Sequence, residues 1–227
     1  MLFQLGISIL ADKALQHQAG LRLLASLDSP LALQDANLEE EALGIQLEAG
    51  GRPYFSDRHA DFSISHSGLL CAAAYTKGPA GFPLRVGCDV QIISKTKRYC
   101  AIAQSFYYPR ELQYISAAPD REEENRRFVS LWVLKESYIK LWGLSIFNIR
   151  DAPEFLFSEH GISCIPKVET ANTLRFYLWA LQLPPGDSYY LACIRENAES
   201  NLGEDPEFIF LPWGLSKTIR ITSVFCR

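Results

Sequence analysis

The chain has 227 residues, 48% hydrophobic and 21% charged, enough for one large or two small domains and a balance that excludes intrinsic disorder. Its net charge of −4 argues against nucleic acid as the main partner, and no apolar run approaches the roughly 18–20 residues of a membrane helix. The six cysteines and four histidines are dispersed, without a Cys-x-x-Cys pair, so the cysteines read as reduced small hydrophobes and zinc is not expected.

The opening stretch, Met1 to Ala11, is apolar but lacks a basic leader and meets Asp12 at once. This argues against a secretory signal and for a cytoplasmic protein. Asp12 to Leu27 has helical spacing, and Asp35 to Leu47 follows it less regularly. Gly50-Gly51-Arg52-Pro53 breaks that pattern. Phe62 to Ile64 and Leu69 to Tyr75 read as strands about a Ser-His-Ser-Gly turn, and a further strand runs from Arg85 to Ile93. Two helical stretches follow, Ala101 to Ile115 and Glu122 to Trp142. Leu174 to Leu183, Tyr189 to Arg195 and Ile219 to Phe225 read as strands. The similar apolar runs Leu70 to Tyr75 and Tyr190 to Ile194 hint at a duplicated α+β unit.

Charge is unevenly spread. Residues 85–140 hold 10 Lys and Arg against 7 Asp and Glu, whereas the remainder holds 12 against 19. A basic middle on an acidic protein suits an acidic partner or a phosphate-rich ligand, or is simply a solvated face.

The segment from Phe128 to Trp142 is apolar nearly all round at helical spacing, the pattern of a buried helix. Lys135, Glu136 and Lys140 nevertheless lie inside it, with Lys135 on the main apolar stripe. Buried charge is unfavourable by several kcal/mol unless it is paired or holds an ion. One reading is an i,i+4 pair between Glu136 and Lys140 on a partly exposed face, worth about 0.2–0.5 kcal/mol. The other is a carboxylate and two ammonium groups lining a cleft for an anionic ligand and a metal.

A second acid stands in Gly87-Cys88-Asp89-Val90-Gln91. Strand alternation puts Asp89 and Gln91 on one face, and Gly87 permits close approach of backbone or ligand. Magnesium prefers oxygen and is held by one or two carboxylates with phosphates and waters, so Asp89 and Glu136 would suffice; an edge-strand Asp facing water is the alternative. In Ser63-Ile64-Ser65-His66-Ser67-Gly68, hydroxyls flank an imidazole at a strand end, a turn that can offer donors to a phosphate or be merely self-satisfied. No Gly-x-Ser-x-Gly elbow accompanies it, as a serine hydrolase would need.

In order, the chain carries Gly51-Arg52-Pro53, Ser63-Ile64-Ser65-His66-Ser67, Gly87-Cys88-Asp89-Val90-Gln91, Phe106-Tyr107 with Glu111, and Trp132-x-x-Lys135-Glu136-Ser137-x-x-Lys140. Over about residues 50–145 this resembles the 4'-phosphopantetheinyl transferases of the Sfp type. The resemblance implies an α+β fold of two similar α/β halves in pseudo-twofold arrangement, with the active site in the cleft between them. It implies an enzyme that moves 4'-phosphopantetheine from coenzyme A to a serine of an acyl or peptidyl carrier protein. Magnesium would be held by Asp89 and Glu136, with Gln91 as a third ligand. Lys135 and Lys140 would lie near the pyrophosphate, while Arg52, Ser65 and His66 would hold phosphates of coenzyme A. Glu136 would deprotonate the carrier serine, with Lys140 and His66 assisting.

Three departures stand out: Gln91 where the family usually has Glu, a single glycine in Gly143-Leu144-Ser145, and few basic residues before residue 50. Residues 1–93 are expected as the N-terminal half and 94–227 as the C-terminal half of a monomer. The basic stretch 94–127, with Lys95, Lys97, Arg98, Arg110, Arg126 and Arg127, is expected to face the carrier protein. A degenerate relative that binds coenzyme A or a carrier without catalysis is the alternative; a two-metal phosphohydrolase would need more acid or His ligands than are present.

Overall fold

The computed structural model describes residues 2–10, 12–28, 39–58, 60–78, 84–93, 99–158, 161–165, 174–183, 186–196, 207–211 and 220–226. Its elements in chain order are β1 (Leu2–Ile9), α1 (Gln16–Asp28), β2 (Ile45–Leu47), β3 (Pro53–Phe55), β4 (Asp61–Ser67), β5 (Leu70–Lys77), β6 (Val86–Ile92), α2 (Cys100–Phe106), α3 (Pro109–Ser116), α4 (Arg121–Trp142), β7 (Glu154–Ser158), β8 (Gly161–Ile165), β9 (Leu174–Leu183), β10 (Asp187–Glu196), β11 (Glu207–Leu211) and β12 (Arg220–Cys226). Two four-stranded sheets dominate, ordered β11-β1-β5-β4 and β12-β9-β10-β6.

Every residue from Leu70 to Tyr75 is apolar because β5 is covered on both faces. Leu70, Ala72 and Ala74 meet Val86, Cys88, Val90, Trp179 and Leu191 of the second sheet, while Cys71, Ala73 and Tyr75 meet Leu23, Leu24 and Leu27 of α1. On the far side, Leu178, Ala192 and Ile194 pack with Val129, Val133 and Leu134 of α4. The layers thus run helix, sheet, sheet, helix, a mixed α/β arrangement consistent with the expected class. Each sheet takes a strand from the other expected half: β6 lies in the second sheet and β11 in the first. The two similar apolar runs are β5 and β10, each third in its sheet.

Two expectations need correction, and one stretch left unassigned is placed. The helix expected from Ala101 to Ile115 is split, because Pro109 keeps the residues before it extended: Tyr107 has φ −112° and ψ 153°. Of the helix expected from Asp35 to Leu47, residues 35–38 lie outside the described residues. The rest is a short 3-10 turn at Glu41–Leu43, a left-handed Gly44 and β2. The apolar opening is a strand, β1, between β11 and β5.

Two contacts place the site. First, α4 lies directly on β6 at Gly87, where a Cβ would come within 2.0 Å of the Ser137 carbonyl and 2.6 Å of the Leu141 nitrogen. No other residue type fits that crossing. Second, the edges β4 and β6 are joined by side chains. The Val86, Cys88, Val90 and Ile92 N–H groups donate in turn to Asp61 Oδ2 (2.8 Å), Ser63 Oγ (3.0 Å), Ser65 Oγ (3.2 Å) and Ser67 Oγ (3.0 Å). Alternation makes this comb possible: Asp61, Ser63, Ser65 and Ser67 all project from one face of β4.

Candidate active site

Odd-numbered residues of β6 face α4, so Asp89 meets that helix two residues beyond the Gly87 crossing. Lys140, near the helix end, places its Nζ 2.6 Å from Asp89 Oδ1 and donates to Ser65 Oγ at 3.0 Å. Ser65 Oγ in turn donates to Asp89 Oδ1 at 2.7 Å. Asp89 is 9% exposed at its side chain and Lys140 is 30% exposed, so the cluster is buried on one side and open on the other. Burial works against the Lys140 ammonium, yet Asp89, together with Cys88 and Glu136, holds it above its ordinary range.

Glu136, one helical turn before Lys140, is half-buried. Burial raises its carboxyl to about 7, the Asp89 charge adds to the rise, and Lys140 partly opposes it. The i,i+4 pair of the alternative reading does not form, because Lys140 turns to Asp89 instead. Glu136 has no hydrogen bond or ion pair among the described residues, so it is an uncompensated acid beside another acid. Gln91 shares the Asp89 face of β6, and its Nε2 donates to the Ile92 carbonyl at 3.4 Å, which leaves Oε1 facing outward from that bond.

Asp89 and Glu136 are the two carboxylates here that could hold a hard divalent cation. Both bonds to Asp89 fall on Oδ1, and among the described residues Oδ2 makes none. Among the described residues no group of three or more His, Cys, Asp or Glu converges. A magnesium site completed by phosphates and waters needs no such group.

Arg52 and Lys135 do not join this cluster. The Arg52 guanidinium is buried and forks onto Asp61 at 2.9 and 2.5 Å, while Nε reaches the Lys140 carbonyl and Nη2 the Val86 carbonyl. Four of its five N–H groups are thus engaged within the protein, and its positive charge is neutralised by Asp61. Arg52 ties β4, β6 and the end of α4 together, with four of its N–H groups committed before any phosphate is met, while also lining the cavity beside the cluster. Lys135 is fully buried on another side of α4. Its Nζ is 3.1 Å from Glu111 and 3.2 Å from the Pro153 carbonyl, and it faces the Tyr108 ring at 4.7 Å. The expectation that it lies by the pyrophosphate is corrected: helical periodicity placed it on an apolar stripe, and that stripe is the core.

Ser65 lines the cluster, but its hydroxyl already donates once and accepts twice, from Lys140 and Val90, so it has no capacity left for a phosphate. His66 projects from the opposite face of β4 and is exposed. No hydrogen bond or ion pair joins it to Asp89, Glu136 or Lys140 among the described residues. Beside the cluster is a cavity of about 220 Å³, lined by Gly50, Gly51, Arg52, Pro53, Phe62, Ser63, Ile64, Lys140, Gly143 and Leu144. Its walls mix polar and apolar groups, Arg52 and Lys140 among them.

In the expected carrier-facing stretch, residues 94–98, including Lys95, Lys97 and Arg98, lie outside the described residues. Arg126 and Arg127 are each paired one turn back on α4, with Glu122 at 2.7 Å and Glu123 at 3.0 Å, which leaves little free positive charge there. Arg110 is exposed.

Two acids, Asp61 and Glu111, have supporting roles that the sequence reading did not assign, although Glu111 stood among its motifs. Asp61 opens the Asp-x-Ser-x-Ser-x-Ser run, whose period of two puts four acceptors on one strand face, a legible signal. Glu111 follows Tyr108-Pro109 at capping-box spacing and accepts the Tyr108 N–H at 2.9 Å. Its second oxygen accepts the Phe155 N–H, which only the tertiary structure could assign.

Comparison with known proteins bears on this geometry. A family model described as the 4'-phosphopantetheinyl transferase superfamily matches residues 85–194, the stretch from β6 through α4 to β10. The chain is similar to the 4'-phosphopantetheinyl transferase HetI of Nostoc sp. (strain PCC 7120), 29% identical over 178 residues, covering 75% of this chain and 66% of the relative. It is similar to the 4'-phosphopantetheinyl transferase Sfp of Bacillus subtilis (strain 168), 31% identical over 121 residues, half of each chain. With the 4'-phosphopantetheinyl transferase gsp of Aneurinibacillus migulanus it shares 29% identity over 115 residues, 51% of this chain and 44% of the relative. The chain therefore spans between about two-fifths and two-thirds of the length of these relatives. Residues 85–194, which carry Asp89, Glu136 and Lys140, are thus similar to the 4'-phosphopantetheinyl transferase superfamily.

Proposed function

We propose that the protein transfers the 4'-phosphopantetheine group of coenzyme A to a serine of an apo acyl or peptidyl carrier protein, releasing adenosine 3',5'-bisphosphate. The observation that carries this reading is Glu136, a half-buried, unpaired carboxyl raised to about 7 beside Asp89 and Lys140. An acid with that pKa is matched to proton abstraction near neutral pH. The carrier serine oxygen attacks the pantetheine-side phosphorus, its proton passes to Glu136, and the bond from that phosphorus to the bridging pyrophosphate oxygen breaks. The departing bisphosphate keeps that bond's electron pair.

Asp89 and Glu136 would hold magnesium, with the Gln91 amide oxygen as a neutral third ligand. When bound, magnesium supplies charge neutralisation for the pyrophosphate and the leaving bisphosphate. Lys140 reaches phosphate oxygens from the cavity side and complements charge that grows during transfer. His66, exposed on the other face of β4, remains a candidate for a more distant phosphate of coenzyme A. In this reading the two sheets with their outer helices are the family's two similar halves, working as a monomer in the cytoplasm. No described helix is long and apolar enough to cross a membrane.

The test is to incubate the protein with coenzyme A, magnesium and an apo carrier and to follow the carrier by mass spectrometry. Addition of the phosphopantetheine mass, abolished in Glu136→Gln, supports the transferase. Binding of coenzyme A or carrier without any addition would refute it and favour a non-catalytic relative.

A further inference from the structure

Within the transferase reading, Ser65 has so far only been excluded as a phosphate contact. The residue is 6% exposed, and among the described residues its hydroxyl is the one group that touches both Asp89 and Lys140 while being anchored to backbone. A hydroxyl has one donor and two acceptor positions. Here the donor goes to Asp89 Oδ1, and the acceptors take Lys140 Nζ and the Val90 N–H. The Val90 bond belongs to the comb between β4 and β6, so the orientation of Ser65 Oγ is set by the seam between the two sheets.

That arrangement does two things to Asp89. It loads one carboxylate oxygen with two donors and turns the other, Oδ2, away from them. It also fixes carboxylate rotation about χ2, a torsion that is otherwise broad. We infer that Ser65 is a positioning residue: it aims Asp89 Oδ2 at the divalent cation and holds Lys140 beside it. Hydrogen bonds that orient a ligating carboxylate are generally worth about 10–100-fold in metal affinity.

The comb supplies its own control. Ser67 makes the equivalent backbone bond, from the Ile92 N–H at 3.0 Å, but touches neither Asp89 nor Lys140. If Ser65 serves only to hold the sheets together, Ser65→Ala and Ser67→Ala should behave alike.

The experiment titrates Mn2+ into the full chain saturated with coenzyme A, without a carrier, and reads free Mn2+ by electron paramagnetic resonance. Ser65→Ala is expected to weaken Mn2+ binding by about 10-fold, Ser67→Ala to leave it unchanged, and Ser65→Thr, which keeps the hydroxyl, to restore it. At saturating Mn2+, kcat of Ser65→Ala should stay low while KM for coenzyme A stays that of the wild type. A raised KM for coenzyme A with intact Mn2+ affinity would make Ser65 a substrate contact and overturn the assignment. Equal losses in Ser65→Ala and Ser67→Ala would overturn it as well. A wild-type protein that holds no Mn2+ would remove the transferase reading and this assignment together, whereas equal Mn2+ binding by wild type and Ser65→Ala removes only the assignment.

Discussion

Lys135 Nζ lies 3.1 Å from the Glu111 carboxylate, and neither side chain is exposed to solvent. The pair joins α4 to the start of α3 and, through the Phe155 N–H on Glu111, to β7. Burial pushes the Glu111 carboxyl up, while Lys135 and the two N–H groups oppose that rise. Lys135 is next in sequence to Glu136, so this pair fixes the rotation of α4 that presents Glu136 to the other side.

Removing one partner strands the other charge. Lys135→Met is expected to destabilise the fold by about 3–5 kcal/mol, a fall in Tm of roughly 10 °C for a chain of this size. The double variant Lys135→Met/Glu111→Gln should recover much of that loss. Thermal unfolding of Lys135→Met, Glu111→Gln and the double variant checks it; a double variant as unstable as the summed singles would show that the pair is not the source.

Glu136→Gln should separate function from stability. The folded-state carboxyl is raised, so the fold favours the protonated form. The penalty for ionising Glu136 in the fold is absent below about pH 4.5 and complete above about pH 7. The amide is therefore expected to raise Tm by roughly 2–4 °C above pH 7, after allowance for its solvent-facing side, and to change nothing at pH 4, while transfer is lost. Scanning calorimetry at both pH values, with the carrier assay, decides it. No stabilisation at pH 8 would mean that the acid is already compensated.

Transfer by the unaltered protein should rise with pH in step with ionisation of Glu136. With kcat/KM for the carrier measured at low magnesium, the rate is expected to climb about tenfold per pH unit below the transition and to level off above about 7. Occupancy by magnesium favours the carboxylate, so higher magnesium should move the midpoint down. A midpoint indifferent to magnesium would count against Glu136 as a shared base and ligand.

Gln91→Glu adds a third carboxylate to the face that carries Asp89. The expected result is tighter magnesium binding, read as a lower magnesium concentration for half-maximal transfer, because ligand charge raises affinity for a hard cation. An unchanged or weaker requirement would place Gln91 outside the cation's reach.

Gly87→Ala tests the helix contact itself. A methyl group 2.0 Å from the Ser137 carbonyl cannot be accommodated without moving α4 off β6. Loss of stability by more than about 3 kcal/mol is expected, at the upper end for overpacking, and Asp89 should separate from Lys140. Denaturant unfolding of the variant provides the measurement, and a near-native midpoint would contradict the packing described.

Much of the fold and site was legible from residue order. The strand runs at 62–64, 69–75, 85–93, 174–183 and 189–195 fall within or beside β4, β5, β6, β9 and β10, since period and punctuation are local properties. β1, β2, β3, β7, β8 and β11 were not assigned; all but β1 are five residues or shorter, too brief for alternation to identify them. Asp89, Glu136 and Lys140 were recognisable because charge in an apolar run is conspicuous at any level of description.

By itself the sequence determined which groups could do chemistry and on which side of its own strand or helix each would stand. Only the tertiary structure decided their partners. Lys140 meets Asp89 from 51 residues away and Ser65 from 75, and Lys135, five positions earlier, is taken into the core by Glu111. The reason is geometric: helical and strand periods set directions relative to sequence neighbours, whereas the charge that a side chain finally meets is set by which distant surface packs against that face.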